Sequence, residues 1–304
     1  MTQTALHEAV ARLLVPDAAR LPLWLLYDPV LNDPLQLRDR SEERLWLRLP
    51  AHVDIEPASR PGFIRLSGDL DDRLFDSSVA ASEAETLGDA LNVGTGRAVC
   101  GWFRAETTTV QRLCAAGVQT QVGVAYRWVR WHDPRVMCQL WPILKPAQRS
   151  TILDNGACAV IVDLLGQVQR LQGTDELNPR PAPPQSGPVA SAIDGWGLDH
   201  AQWHTLSDTA LVISLLSGLR EDGLIPDATW PLRLHALLAQ ARERGMAQDD
   251  DLRAYVRFVI EGQVQGLDFD EAISVARSDP GSLVFALKEL LKARRESRHG
   301  AAAE

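Results

Sequence analysis

The sequence predicts an α/β N-terminal lobe, a mixed sheet with flanking helices, followed by an all-α helical C-terminal lobe. Three observations carry this prediction. Through the first half, short apolar runs of strand type alternate with stretches whose apolar residues recur at helical spacing. Residues 172–190, QGTDELNPRPAPPQSGPVA, hold five prolines and read as a linker or an extended surface segment. From Trp203 onward only the helical period remains. The domains expected are therefore an α/β domain over 1–172, a proline-rich linker over 173–202, and a helical lobe with a basic C-terminal tail over 203–304.

Taken in order, residues 4–14 form an amphipathic helix with Leu6, Val10, Leu13 and Leu14 as its stripe, ended by Pro16. Leu23–Tyr27, set between Pro22 and Asp28-Pro29, is a first buried strand. Arg44–Leu49 alternates charge and bulk as a second strand, and Phe63–Leu66 follows the Pro61-Gly62 turn as a third. Leu70, Leu74 and Phe75 suggest a helix in the acidic interval 68–96. Val93-Gly94-Thr95-Gly96 is a loop: it lacks the third glycine and the Lys-Ser/Thr of a phosphate-binding loop. Ala98–Ala105 is a strand, and the hydroxyls of Thr107–Thr109 can cap a helix carrying Val110, Leu113 and Cys114. Ala157–Leu165 and Val168–Leu171 read as two strands joined at Gly166. One helix runs from Trp203 to the stop at Gly223, with Leu206, Ala210, Ile213 and Leu216 on one stripe. Further helices are expected at Pro231–Arg244, Asp249–Glu261, Phe269–Ala276 and Leu283–Leu291.

The central stretch is Val122–Leu144, VGVAYRWVRWHDPRVMCQLWPIL. Val122–Trp131 is rich in Val, Tyr and Trp, with apolar groups on both alternating faces, which favours a strand covered on both sides. After Asp133-Pro134, Val136, Leu140, Ile143 and Leu144 recur at helical spacing. Asp133 can accept a backbone N–H as the N-cap, and Pro134 suits the first helical position.

The run YRWVRWHDPRVMCQLWPILKPAQ, residues 126–148, resembles the signature of the type VI secretion effector-chaperone (adaptor) family. That signature is an aromatic-Arg-aromatic strand, Tyr-Asp-Pro-Arg-Val, a helix ending in Leu-Pro-x-Leu, and a Gln shortly after. Here Tyr126, Arg127 and Trp128 form the strand part, and His132 stands where Tyr is usual. Asp133, Pro134, Arg135 and Val136 match, Trp141-Pro142-Ile143-Leu144 ends the helix, and Gln148 fits the distal Gln. A looser resemblance covers residues 1–172, and a helical tail is typical of the family.

The resemblance implies a non-enzymatic cytoplasmic chaperone that binds a cognate type VI effector, a toxin, and promotes its loading onto the VgrG spike protein. Trp128, Trp131 and Arg135 are the effector-binding candidates. Their competing role is to hold the corner together, as expected for Tyr126, Arg127, Asp133, Pro134 and Val136.

Composition is compatible with this. The 304 residues carry a net charge of −9, which does not steer a protein toward nucleic acid; Lys288–Arg298 is a basic exception that suits a solvated helix end. Cys100, Cys114, Cys138 and Cys158 form no C-x-x-C pair and show no zinc-like spacing. No apolar run nears the roughly 18 residues of a membrane span, and the N-terminus has no signal-peptide layout. Reduced, mostly buried thiols in a cytoplasmic protein are the expectation. Nine tryptophans, the largest aromatic class, suit either core filling or a partner surface.

The alternative class is a hydrolase or metal-dependent enzyme. His132-Asp133 is the most tempting pair, but adjacent strand residues face opposite sides. His200 and His204 stand one helical turn apart, without the glutamate of a His-Glu-x-x-His site. The expectation is no catalytic residue, no metal and no cofactor.

Overall fold

The computed structural model describes residues 3–15, 21–30, 32–37, 45–49, 56–67, 70, 72–89, 97–116, 119–122, 125–128, 130–154, 156–173, 196–260, 273–274, 278, 282–287 and 289. Two compact units divide the chain, residues 1–209 and 210–304.

The first unit is built on a six-stranded sheet in the order β2-β3-β1-β4-β7-β8. Its strands are β1 (Leu23–Tyr27), β2 (Trp46–Arg48), β3 (Gly62–Arg65), β4 (Val99–Arg104), β7 (Cys158–Val162) and β8 (Val168–Gln172). The unbroken apolar run of β1 has the period of a strand covered on both faces, and β1 lies at the centre with every residue buried. Leu23, Leu25 and Tyr27 enter one core layer with Ile64, Trp102, Val160 and the helices α1 (Gln3–Leu14) and α2 (Arg73–Asp89). Trp24 and Leu26 enter the other layer, with Phe63, Phe103 and α3 (Thr107–Ala116), α4 (Pro134–Ile143) and α5 (Pro146–Ile152).

Every pairing in this sheet is antiparallel, which corrects the mixed sheet expected from the sequence. Strand–helix alternation shows that helices intervene between strands, not whether a returning strand lands beside its predecessor. Here α2 carries the chain from β3 past β1 to β4, so two strands of the same direction are separated by one of opposite direction.

The expected central strand over Val122–Trp131 is also corrected. β5 (Gln119–Val122) and β6 (Ala125–Trp128) form a separate two-stranded hairpin with Val122 opposite Ala125. Apolar residues on both faces marked burial, but the chain reverses inside the run.

At the β1–β4 pairing, Leu26 faces Gly101 and Tyr27 faces Val99, leaving Cys100 as the extra residue of a bulge. Gly101 has φ of +151°, and a Cβ there would lie 2.9 Å from both the Val160 carbonyl oxygen and Ile161 Cγ2. The bulge hands the strand end to Asp28, whose N–H donates to Ala98 O at 2.8 Å.

The helix expected from Trp203 to Gly223 is broken at Asp208 into α6 (His200–Ser207) and α7 (Thr209–Glu221). Trp196, Leu198, Trp203 and Leu206 pack on the first unit's core. The helical lobe expected from residue 203 therefore has its first helix on the sheet-bearing unit, with the division at 209/210. In the second unit the longer helices described are α7, α8 (Trp230–Glu243) and α9 (Asp249–Ile260). The glycine loop at 93–96, residues 174–195 of the expected linker, most of Phe269–Ala276 and most of the basic tail lie outside the described residues, whereas within the helix expected over Leu283–Leu291 residues 283–287 and 289 are helical. Among the described residues no helix is long and apolar enough to cross a membrane.

Candidate functional site

The turn from Arg130 to Asp133 delivers the chain into α4, with the Asp133 N–H donating to Arg130 O at 3.0 Å. Asp133 is extended (φ −67°, ψ 119°) and caps α4 by accepting the Arg135 N–H at 2.9 Å. Pro134 fills the first helical position, where its missing N–H removes no intrahelical bond.

The Asp133 carboxylate also receives the fork of Arg135, Nε on Oδ1 at 3.0 Å and Nη2 on Oδ2 at 2.7 Å. Both side chains are buried. Burial works to raise the Asp133 pKa, but the Arg135 guanidinium and backbone N–H outweigh it and hold the carboxyl below its ordinary range. Arg135 moves oppositely: burial would lower it, and Asp133 raises it. The two shifts describe one buried ion pair kept charged by its own geometry.

Beside the cap sits a pair the sequence did not reveal. His132 Nε2 lies 3.0 Å from Asp28 Oδ2, and Arg130 Nη2 reaches the same oxygen at 3.2 Å. Asp28 Oδ1 accepts the Val30 N–H at 3.0 Å. Burial again opposes ionisation of Asp28, but His132, Val30 and Arg130 overcome it, so its pKa is lowered. His132 Nδ1 is buried without a hydrogen-bond partner.

Further in, Glu85 accepts the N–H groups of Ala98 at 2.9 Å and Val99 at 3.3 Å, yet burial raises its pKa. The buried Arg97 donates Nη1 to Val162 O at 2.9 Å, and burial lowers its pKa. Cys100 donates to Arg97 O and Ala98 O, and burial pushes its thiol well above the ordinary value. A thiol kept protonated is a poor nucleophile.

The far end of α4 is closed by a second network. A helix C-terminus leaves carbonyls without intrahelical partners. Arg149 takes Trp141 O at 3.0 Å and Pro142 O at 2.9 Å, and Gln202 Nε2 takes Ile143 O at 2.8 Å. Gln148 Oε1 accepts the Lys145 N–H at 2.7 Å, and its Nε2 donates to Trp196 O and Gly197 O, each at 3.0 Å. The two carboxamides meet at 2.8 Å. Asp199 caps α6 by accepting the Gln202 N–H, and Gln202 Oε1 accepts the Asp199 N–H in return. The motif is thus one continuous corner: Asp133 opens α4, and Gln148 secures the chain that returns at Trp196.

The predicted residues fall unevenly in this arrangement. Trp131 is fully buried, its ring 5.3 Å from Trp196 and 6.2 Å from Phe63. Arg135 is buried in its ion pair, Pro134 is buried, and Val136 is half-buried. Tyr126, Arg127 and Trp128 pair through β6 with Gln121, Thr120 and Gln119; their side chains lie outside the described residues. His200 opens α6, and His204 is exposed in its last turn. Asp28, Gln202 and Trp196 are the contributors sequence reasoning missed. Only Gln202 had a legible signal, the Asp-x-x-Gln capping box at 199–202.

Among the described residues no group of three or more His, Cys, Asp or Glu side chains is placed to hold a metal ion. Comparison with known protein families, curated proteins and solved structures finds no match to this chain.

Proposed function

We propose that this protein is a non-enzymatic cytoplasmic adaptor: a chaperone that holds a cognate type VI secretion effector and promotes its loading onto the VgrG spike. The observation that carries the reading is the role of the signature residues. Trp131, Asp133, Pro134, Arg135 and Gln148 jointly build one corner instead of presenting separate reactive groups. Such a signature suits proteins that share a body and differ in the surface that reads each partner.

In this reading Trp131 and Arg135 act from beneath, fixing the corner on which an effector-facing surface is displayed. Trp128, carried on the separate β5–β6 hairpin, is the remaining candidate for direct contact. The driving force for capture is burial of the effector's apolar surface, about 25 cal/mol per Å² before association costs are subtracted. The second unit is taken as the helical lobe of the adaptor, with α7, α8 and α9 as its body.

The test is co-expression with each protein encoded beside this chain, a toxin being the expected partner, followed by affinity purification. Trp128→Ala that loses the toxin at an unchanged melting temperature supports contact through the hairpin. Trp131→Ala is expected to lower the melting temperature and capture together. Turnover of a substrate by the purified chain alone would overturn the adaptor reading.

A further inference from the structure

The first unit's sheet and helix α6 are held by different means. The sheet strands are joined by backbone ladders. Helix α6 rests on α4 through side chains: the Gln202 and Gln148 carboxamides, an exposed Lys145–Asp199 ion pair at 2.9 Å, and the partly buried Trp196, Trp203 and Leu206. The seat is specific nonetheless. Ile143 O, a free carbonyl of the α4 C-terminus, is met by one amide, and Gln202 is only 5% exposed. What fills it is an eight-residue helix, a length that is marginal by itself in water.

We infer that the seat of α6 at the α4–α5 junction is an exchangeable helix-binding groove. In the resting chain α6 fills it. On capture, a partner helix of like chemistry takes its place, with an Asp-x-x-Gln first turn and an aromatic residue directly after the Gln. The occupant's chemistry is read from α6 itself: Gln202 answers Ile143 O and Gln148, and the apolar side chains cover the layer around Trp131. This is a helix-in-groove interface whose ligand is presently supplied in cis. The partner's part in the inference rests on the adaptor reading; the groove's exchangeability does not.

The experiment therefore uses only this chain. A fluorescent peptide of residues 196–209 is titrated into the full-length protein and into the full-length Gln202→Ala/Trp203→Ala variant. The tethered α6 of the wild-type chain competes at high effective concentration, so the variant is expected to bind the peptide saturably and at least about tenfold more tightly. A variant that unfolds cooperatively yet binds no better than wild type overturns the inference.

If the variant does not fold, hydrogen exchange on the wild-type chain decides. Amides of α6 are expected to exchange at least about tenfold faster than the buried amides of α4, through an opening α4 does not share. Equal protection of the two helices overturns the inference. Failure here leaves effector capture untouched, and absence of an effector leaves the peptide result standing.

Discussion

Asp28 and His132, 104 positions apart in the chain, meet at 3.0 Å in the interior of the first unit. Their contact ties the end of the central strand to the turn that starts α4, and Arg130 reinforces it from the more exposed side. Replacing Asp28 with Ala strands the buried His132 and removes the acceptor of the Val30 N–H. The expected cost is about 2–4 kcal/mol, read as a lower urea midpoint at unchanged slope. A cost below about 1 kcal/mol would show that the pair does not secure the corner.

The acid limb of stability carries a signature of the same pair. Asp28 and Asp133 both have folded pKa values below the ordinary 3.8. Their contribution is complete above the unfolded value and is lost as pH falls from there toward the folded value. Glu85 has the opposite sign: its folded pKa lies above the ordinary 4.5, so its contribution is present at low pH and is lost as pH rises through the folded value. The stability gap between wild type and Asp28→Asn should be widest above about pH 5 and narrow steadily below about pH 4. Glu85→Gln should instead gain on wild type as pH rises through that region. Denaturant titrations at several pH values check both signs.

Much of this was legible locally. The N-cap Asp133, Pro134 at the helix start and the buried strand Leu23–Tyr27 all follow from residue types and spacing within one element. Sheet direction was not legible, because a crossover helix looks the same whether its strand lands beside the last or skips one. Nor was the reversal inside Val122–Trp131, since apolar density reports burial and not register. The Asp28–His132 pair joins residues with no local relation, and Asp28-Pro29 reads as an ordinary turn.

The bulge at Gly101 is expected to be intolerant. An added Cβ meets the Val160 carbonyl, which the β4–β7 ladder holds in place, and φ of +151° is unfavourable for any side chain. Gly101→Ala should cost about 2–4 kcal/mol, several times the tenths typical of a surface change. Thermal unfolding measures this directly. Gly156→Ala, with φ of +77° but open space around it, is the matched control for strain without collision.

Cysteine chemistry offers an inexpensive check on burial. Burial raises the pKa of all four thiols; Cys114 and Cys138 are each pushed up to about 12. Native protein at about pH 8 should therefore resist iodoacetamide at every cysteine, and all four should label once urea unfolds the chain. Rapid native labelling of Cys100 would contradict the buried bulge.

Arg135 tests whether the cap depends on a fork or only on a charge. Lysine keeps the charge but cannot give Asp133 two parallel N–H bonds. Arg135→Lys should cost about 1–2 kcal/mol while leaving the helix content of the folded state unchanged. Circular dichroism with a denaturant curve separates the two readouts.

The most direct measurement is the mass, by light scattering, of the species formed when this chain is co-expressed, in turn, with each protein encoded beside it. If the protein is an effector adaptor, one of them forms a stable, stoichiometric complex with it that survives size exclusion. A chain that elutes alone beside every one of those proteins, with its fold intact, would contradict the adaptor role.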